Sequence, residues 1–187
     1  MTAGILDPTI SSTSRRDRPG GPVPTTQSVA APQLGTLRGR RVGLLENTKR
    51  NAAALLDALG AVLTNTDHVD LVRMTKQDFA MPLTEDVVDG IIRDCDVVVI
   101  GVGDCGSCSA AAVADGIALE QRGVPVAVLC TEAFEVTSRA MAGLKGRPDF
   151  PVLLMPHPIA NLTARDLAER GQTLASRVRS HFLGPAA

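Results

Sequence analysis

Cys105 and Cys108 stand three residues apart in the run Gly101-Val-Gly-Asp-Cys-Gly-Ser-Cys-Ser109. A thiolate is the reactive form of cysteine, and a helix N-terminus lowers its pKa from a reference of about 8.5. The CxxC spacing lets a disulfide close, or lets one thiol resolve an adduct on the other. Cys105 is therefore expected to be the attacking thiolate and Cys108 the resolving or assisting thiol. His157 lies between Pro156 and Pro158. Prolines restrict the backbone, so the imidazole is presented in a narrow range of directions, which suits a proton carrier for a thiol or a substrate. Two plainer readings stay open: small cysteines packed under a helix, and a histidine that only occupies a loop.

Around these three, Asp104, Gly106, Ser107 and Ser109 form the turn and are candidates to contact substrate. Asn47, Lys49 and Asn51 cluster in one short stretch, offering a cation for an anion and amide donors, although helix capping explains Asn47 without any ligand. Glu132 and Phe134 are further substrate-binding candidates, with capping of backbone donors the safer role for Glu132. Zinc is a second use of the thiols: Cys130 and His157 could join Cys105 and Cys108 in a Cys3His set. Structural zinc sites usually draw on two close ligand pairs, and only one pair is present, so no metal is expected. Gly101, Gly103 and Gly106 also match GxGxxG, the fingerprint of a nicotinamide or flavin nucleotide site. Asp104 would set a carboxylate against a pyrophosphate there, and the motif follows the third strand instead of the first. No cofactor is expected.

The elements that must position these groups follow from the hydrophobic pattern. Val97 to Val102 is a continuous apolar run, as in a strand buried on both faces. The alanine-rich segment after Ser109 suits a helix lying close on a sheet. A first strand is expected over Arg41–Leu45, with Asn47 or Thr48 capping a helix from Ala52 to Leu59 and Gly60 near its end. A second strand fits Val69–Met74, and a helix fits Thr84–Arg93 with Thr84 as cap. Gly123 ends the central helix, and Val124–Cys130 is a fourth strand. A helix from Thr131 or Glu132 to about Leu144, a short strand Pro151–Met155 and a last helix capped by Thr163 and running towards Arg179 complete the set. Asp115 and Glu120 fall inside the central helix as buried partners or an interface; His68 and His181 are expected at the surface. Alternating strands and helices predict an α/β, three-layer, Rossmann-like or flavodoxin-like fold of about five parallel strands with helices on both faces. The strand order expected is 2-1-3-4-5, with the ligand crevice at the carboxyl ends of the strands.

With 187 residues the chain suits one domain with a real core. A net charge of -1 and an aromatic content of 2%, with no Trp or Tyr, give no reason to expect a nucleic-acid partner. No apolar run approaches the ~20 residues that span a bilayer, and the start lacks the order of a signal peptide. A cytoplasmic location follows, without a membrane partner. Residues 1–40 are rich in Pro, Ser, Thr and Gly and without periodicity, so they are expected to be a flexible arm or one laid on a partner subunit in a homo- or hetero-oligomer. The Arg15, Arg16, Arg18 cluster within them is read as solvated charge. Order is expected over 41–187.

Taken together, these residues resemble the UGSC family of (seleno)proteins. The likeness runs through Leu6-Asp7-Pro8-Thr9, GRRVGLLENTKRNA at Gly39–Ala52, GVGDCGSCS at Gly101–Ser109, LEQRGVPVAVLCTEAFE at Leu119–Glu135 and PHPIANL at Pro156–Leu162. In that family the first position of the motif is often selenocysteine, where this chain has Cys105. Selenium or sulfur at one position implies a nucleophile or redox centre. The resemblance implies a UGSC-like α/β domain and a thiol-disulfide oxidoreductase-like, thiol-dependent enzyme acting on a small molecule. Its alternatives are a cysteine-nucleophile lyase, isomerase or transferase working by reversible covalent addition, and a non-catalytic subunit that binds a small molecule or a metal. Where the family commonly has Asn-Gly-Lys-Pro-Asn, this chain has Asn47-Thr-Lys-Arg-Asn51.

Overall fold

A computed structural model of the chain describes residues 33–184. The Arg15, Arg16, Arg18 cluster and most of the expected arm lie outside the described residues. The packed part reaches back past residue 40: Leu37 is buried and the Leu34 N–H donates to the Phe182 carbonyl at 2.8 Å.

Five parallel strands, β1 (Arg41–Glu46), β2 (Asp70–Thr75), β3 (Val97–Gly103), β4 (Val126–Thr131) and β5 (Val152–Met155), form one sheet in the order β2-β1-β3-β4-β5. The helices are α1 (Ala52–Asp67), α2 (Glu85–Asp94), α3 (Gly106–Gln121), α4 (Glu135–Leu144) and α5 (Ala164–Leu183). Every residue of β3 and β4 is buried, which is why both read as unbroken apolar runs. One core unites α1 and α5 with one face of the sheet through Leu55, Leu59, Leu174 and Val178. The other unites α2, α3 and α4 with the opposite face through Ile91, Val113, Ile117 and Ala142. The fold is thus an α/β three-layer arrangement of the flavodoxin-like kind. From neighbouring strands, β1 leads into α1 on one face and β3 into α3 on the other, which puts the topological switch point between them at the carboxyl edge.

Several local expectations change. Gly60 does not end α1; it sits in its interior, where a Cβ would fall 2.8 Å from Leu44 Cδ1 and 2.9 Å from Leu71 Cδ1. The helix ends instead at His68, whose left-handed φ of 52° closes the last turn. Neither Asn47 nor Thr48 caps α1, since the cap position is Asn51. Thr84 occupies the cap of α2 without a side-chain bond; its backbone carbonyl accepts from Val87 and Val88. Thr163 does cap α5, in a reciprocal capping box with Asp166. The segment after β4 opens with a 3-10 turn, Glu132–Phe134, before α4 begins. His68 is exposed as expected, but His181 is half-buried, with Nε2 2.9 Å from the Val126 carbonyl oxygen.

Asp115 and Glu120 are buried partners. Asp115 pairs with the buried Lys76 and accepts the Leu83 N–H at 3.0 Å, tying the loop after β2 to α3. Glu120 pairs with Arg147 at 3.1 Å. At the β5 side of the sheet, α5 sends Arg177 to the Leu154 carbonyl and Arg170 to the Pro156 carbonyl. Among the described residues no helix is long and apolar enough to cross a membrane.

Candidate active site

The site begins with a close approach of backbones. A Cβ on Gly103 would collide with Cys130 Sγ and lie 2.7 Å from Ser109 Oγ, so only glycine lets the start of α3 settle against the end of β3. The register with β4 shifts between Gly101 and Gly103, and that irregularity turns the chain out of the sheet just before the thiols. A Cβ on Gly101 would meet Leu56 and Leu129 at 3.4 and 3.7 Å, ordinary contact, so of the two strand glycines in the GxGxxG match packing demands only Gly103.

Cys105 is the N-cap of α3, and its Sγ accepts the Cys108 N–H at 3.3 Å. Ser107 Oγ lies 3.6 Å from the same sulfur. Partial burial pushes the Cys105 thiol up, but the Cys108 side chain, the Cys108 N–H, the Ser107 hydroxyl and the Lys49 charge together outweigh it, and the net shift is downward. Cys108 has the opposite setting. Its sulfur is fully buried, donates to the Cys105 carbonyl at 3.2 Å and accepts the Asp104 N–H at 3.2 Å. Burial, together with the neighbouring Cys105, pushes it up to about 12. All four cysteines are free.

Ser109 is enclosed, and its hydroxyl donates to the Cys105 carbonyl at 2.7 Å. It therefore braces the turn from within instead of facing a ligand. Cys130 lies beneath Gly103, and burial pushes its thiol up to about 11 despite the Ser138 and Ser109 hydroxyls nearby. Among the described residues no three His, Cys, Asp or Glu side chains converge as a metal would need, and the set Cys105, Cys108, Cys130 and His157 is not assembled. Cys95 is buried at the far end of β3.

His157 reaches the edge from the loop after β5. Its Nδ1 lies 3.1 Å from Thr131 Oγ1, at the last position of β4, and 2.9 Å from Asp104 Oδ1. The geometry to Thr131 is that of a hydrogen bond, whereas Asp104 Oδ1 is a buried oxygen without one. Phe134 stands edge-on to the imidazole with ring centroids 5.6 Å apart. Asp104 therefore faces the histidine, and Phe134 acts as its wall. Glu132 is exposed at the start of the 3-10 turn.

From β1 comes a third group. Asn47 is buried and bonds both sides of Val102: its Nδ2 donates to the Val102 carbonyl and its Oδ1 accepts the Val102 N–H, each at 2.9 Å. Asn51 donates through Nδ2 to the carbonyls of Ile159 and Leu162 at 2.9 and 3.1 Å. These two expected ligand donors are struts that lock the β1 loop to the β3 and β5 loops. Lys49 remains at the surface of the cluster, with its ammonium 3.6 Å above the Phe79 ring. Thr131 was not legible as a site residue; the available signal was a hydroxyl on the last residue of a buried strand, where it must meet the carboxyl edge.

The sequence profile of the UGSC family matches residues 4–184. No curated protein matches the chain. Among solved structures, a diflavin flavoprotein A3 from Nostoc sp. is similar at 17% identity and a TM-score of 0.40, over 76% of this chain and 96% of that one. A short-chain flavodoxin associated with a non-canonical PDU bacterial microcompartment is similar at 11% identity and a TM-score of 0.35, over 75% of this chain and 99% of that one.

Proposed function

The chain belongs to the UGSC family, and from that premise we propose that it is a thiol-dependent enzyme acting on a small molecule, with Cys105 as the nucleophile. The observation that carries this is the contrast among the thiols. Only Cys105 is both partly exposed and shifted downward, while Cys95, Cys108 and Cys130 are buried and shifted upward. A sulfur in the cap position accepts an N–H bond that strengthens when it carries charge.

In the mechanism these groups support best, the Cys105 proton passes to His157, and the thiolate forms an S–C bond to an electrophilic carbonyl carbon. The π pair moves to the carbonyl oxygen; as it returns, a leaving group on the same carbon departs with the imidazolium proton, and the resulting thioester is cleaved by an acceptor nucleophile whose proton restores the Cys105 thiol. The N–H groups of Gly106 and Ser107 open α3 and have no intrahelical acceptor, so they are available to a developing anion. Lys49 would hold an anionic part of the substrate. Cys108 acts as a neutral neighbour that keeps the cap in shape. No metal or nucleotide enters this scheme.

The CxxC spacing favours a second route, thiol-disulfide exchange. Cys105 would attack a substrate disulfide, Cys108 would displace the mixed disulfide, and a thiol reductant would restore the pair. That route needs Cys108 to lose its proton, hence the turn to open.

Alkylation of the native protein followed by peptide mass mapping tests the nucleophile. Cys105 is expected to label first, Cys105→Ser to abolish labelling, and Cys108→Ser to leave it largely intact. A Cys105 no more reactive than Cys130 would defeat the proposal. Equal loss of turnover in Cys105→Ser and Cys108→Ser would favour the exchange route.

A further inference from the structure

We propose that Thr131 is a positioning residue that, with Asp104, holds the proton of neutral His157 on Nδ1 and leaves Nε2 as its proton-accepting atom. This rests on the reading of His157 as the proton carrier of the thiol site. Two oxygens converge on one ring nitrogen: Thr131 Oγ1 at 3.1 Å and Asp104 Oδ1 at 2.9 Å. A carboxylate oxygen only accepts hydrogen bonds, so at that distance a bare nitrogen lone pair would meet another lone pair. The threonine hydroxyl has a single proton, and the buried Gly103 carbonyl 3.3 Å away, which can only accept, offers it a partner. Its lone pairs are then what Nδ1 meets. Thr131 is itself fully buried at the end of β4, so its hydroxyl cannot turn to water. A hydrogen on Nδ1 then bonds Thr131 and sets its positive end beside the otherwise unpartnered Asp104 Oδ1, and in the neutral ring the second nitrogen carries the free pair. Phe134 meets the ring edge-on beside these contacts.

Long-range proton–nitrogen correlation spectra of the full chain read the tautomer directly, with His157 assigned by its loss in His157→Gln. The expected pattern, in spectra of the neutral ring, is a protonated Nδ1 and an unprotonated Nε2. Thr131→Val keeps the shape but not the acceptor, and should lower the ratio of Nδ1–H to Nε2–H by about fivefold, the change made by losing one ordinary hydrogen bond. Thr131→Ser should restore the wild-type ratio. Asp104→Asn can present an N–H to the ring and should favour Nε2–H, which guards against a Thr131→Val protein that fails to fold. A wild-type His157 protonated on Nε2, or a ratio indifferent to both Thr131→Val and Asp104→Asn, overturns the assignment. Cys105 alkylation followed in the same samples separates the two ideas: an inert Cys105 with the expected tautomer removes the thiol chemistry and leaves this assignment standing.

Discussion

Cys105 is a helix cap that is also the only poised thiol. Caps are usually Ser, Thr, Asp or Asn because the position needs a short acceptor for the first-turn N–H groups. Sulfur fills that role best when ionised, so capping and acidity are coupled. Cys105→Ser should accordingly keep the thermal midpoint close to wild type while eliminating native-state alkylation. The alkylation rate of the wild type should reach half its plateau at a pH below the ordinary thiol pKa, because the Cys105 shift is downward; the rate measured against pH checks it. Stability carries the same sign. A thiol whose folded pKa is lowered contributes stability that is present in full above its unfolded pKa and is lost as pH falls through the folded value. The stability difference between wild type and Cys105→Ser should therefore move in favour of wild type on going from neutral pH to above the ordinary thiol pKa, measured by urea unfolding at both. The thiols and His157 stand out in the sequence by type and setting, Cys105 and Cys108 at a glycine-rich turn and His157 between two prolines. Asn47 and Asn51 were legible as a cluster but not as struts, since an amide looks alike whether it faces a ligand or a backbone.

At the scale of elements, alternation of strands and helices was enough to point to a parallel sheet, and the order that suits five such strands, β2-β1-β3-β4-β5, is the one found. Boundaries were harder where glycine has two meanings. Gly60 resembles a helix terminator but lies inside α1, and Gly171 lies inside α5 where the two helices meet. A Cβ on Gly171 would stand 2.8 Å from Ala58 Cβ and 2.9 Å from backbone atoms of Ala58 and Leu59. A Cβ on Gly60 meets only the ends of leucine side chains, which can rotate. Gly171→Ala should thus destabilise by about 1–3 kcal/mol through overpacking. Gly60→Ala should lose less, because the gain in helix propensity of about 1 kcal/mol offsets the crowding. Chemical denaturation of the two variants side by side gives the comparison.

Over the whole molecule, the buried Lys76–Asp115 pair joins a long loop to the helix that carries the thiols. Removing one partner strands a charge in the core, so Lys76→Met alone should cost about 3–5 kcal/mol in urea unfolding, and combining it with Asp115→Leu should recover most of that loss. Nothing in the spacing of Lys76 and Asp115, 39 positions apart, announces the contact; only the folded loop brings them together. Arg170 and Arg177 have a wider consequence. Leu154 and Pro156 are two residues apart, so in an extended chain their carbonyls face the same way, and guanidinium groups already engage both. A stray strand arriving at that border finds two acceptor carbonyls taken, and with Pro151 and Pro156 flanking the short β5 this works against edge-to-edge polymerisation. Replacing both arginines by alanine should leave the monomer folded but raise light scattering on concentration, as copies begin to stack through an uncapped border.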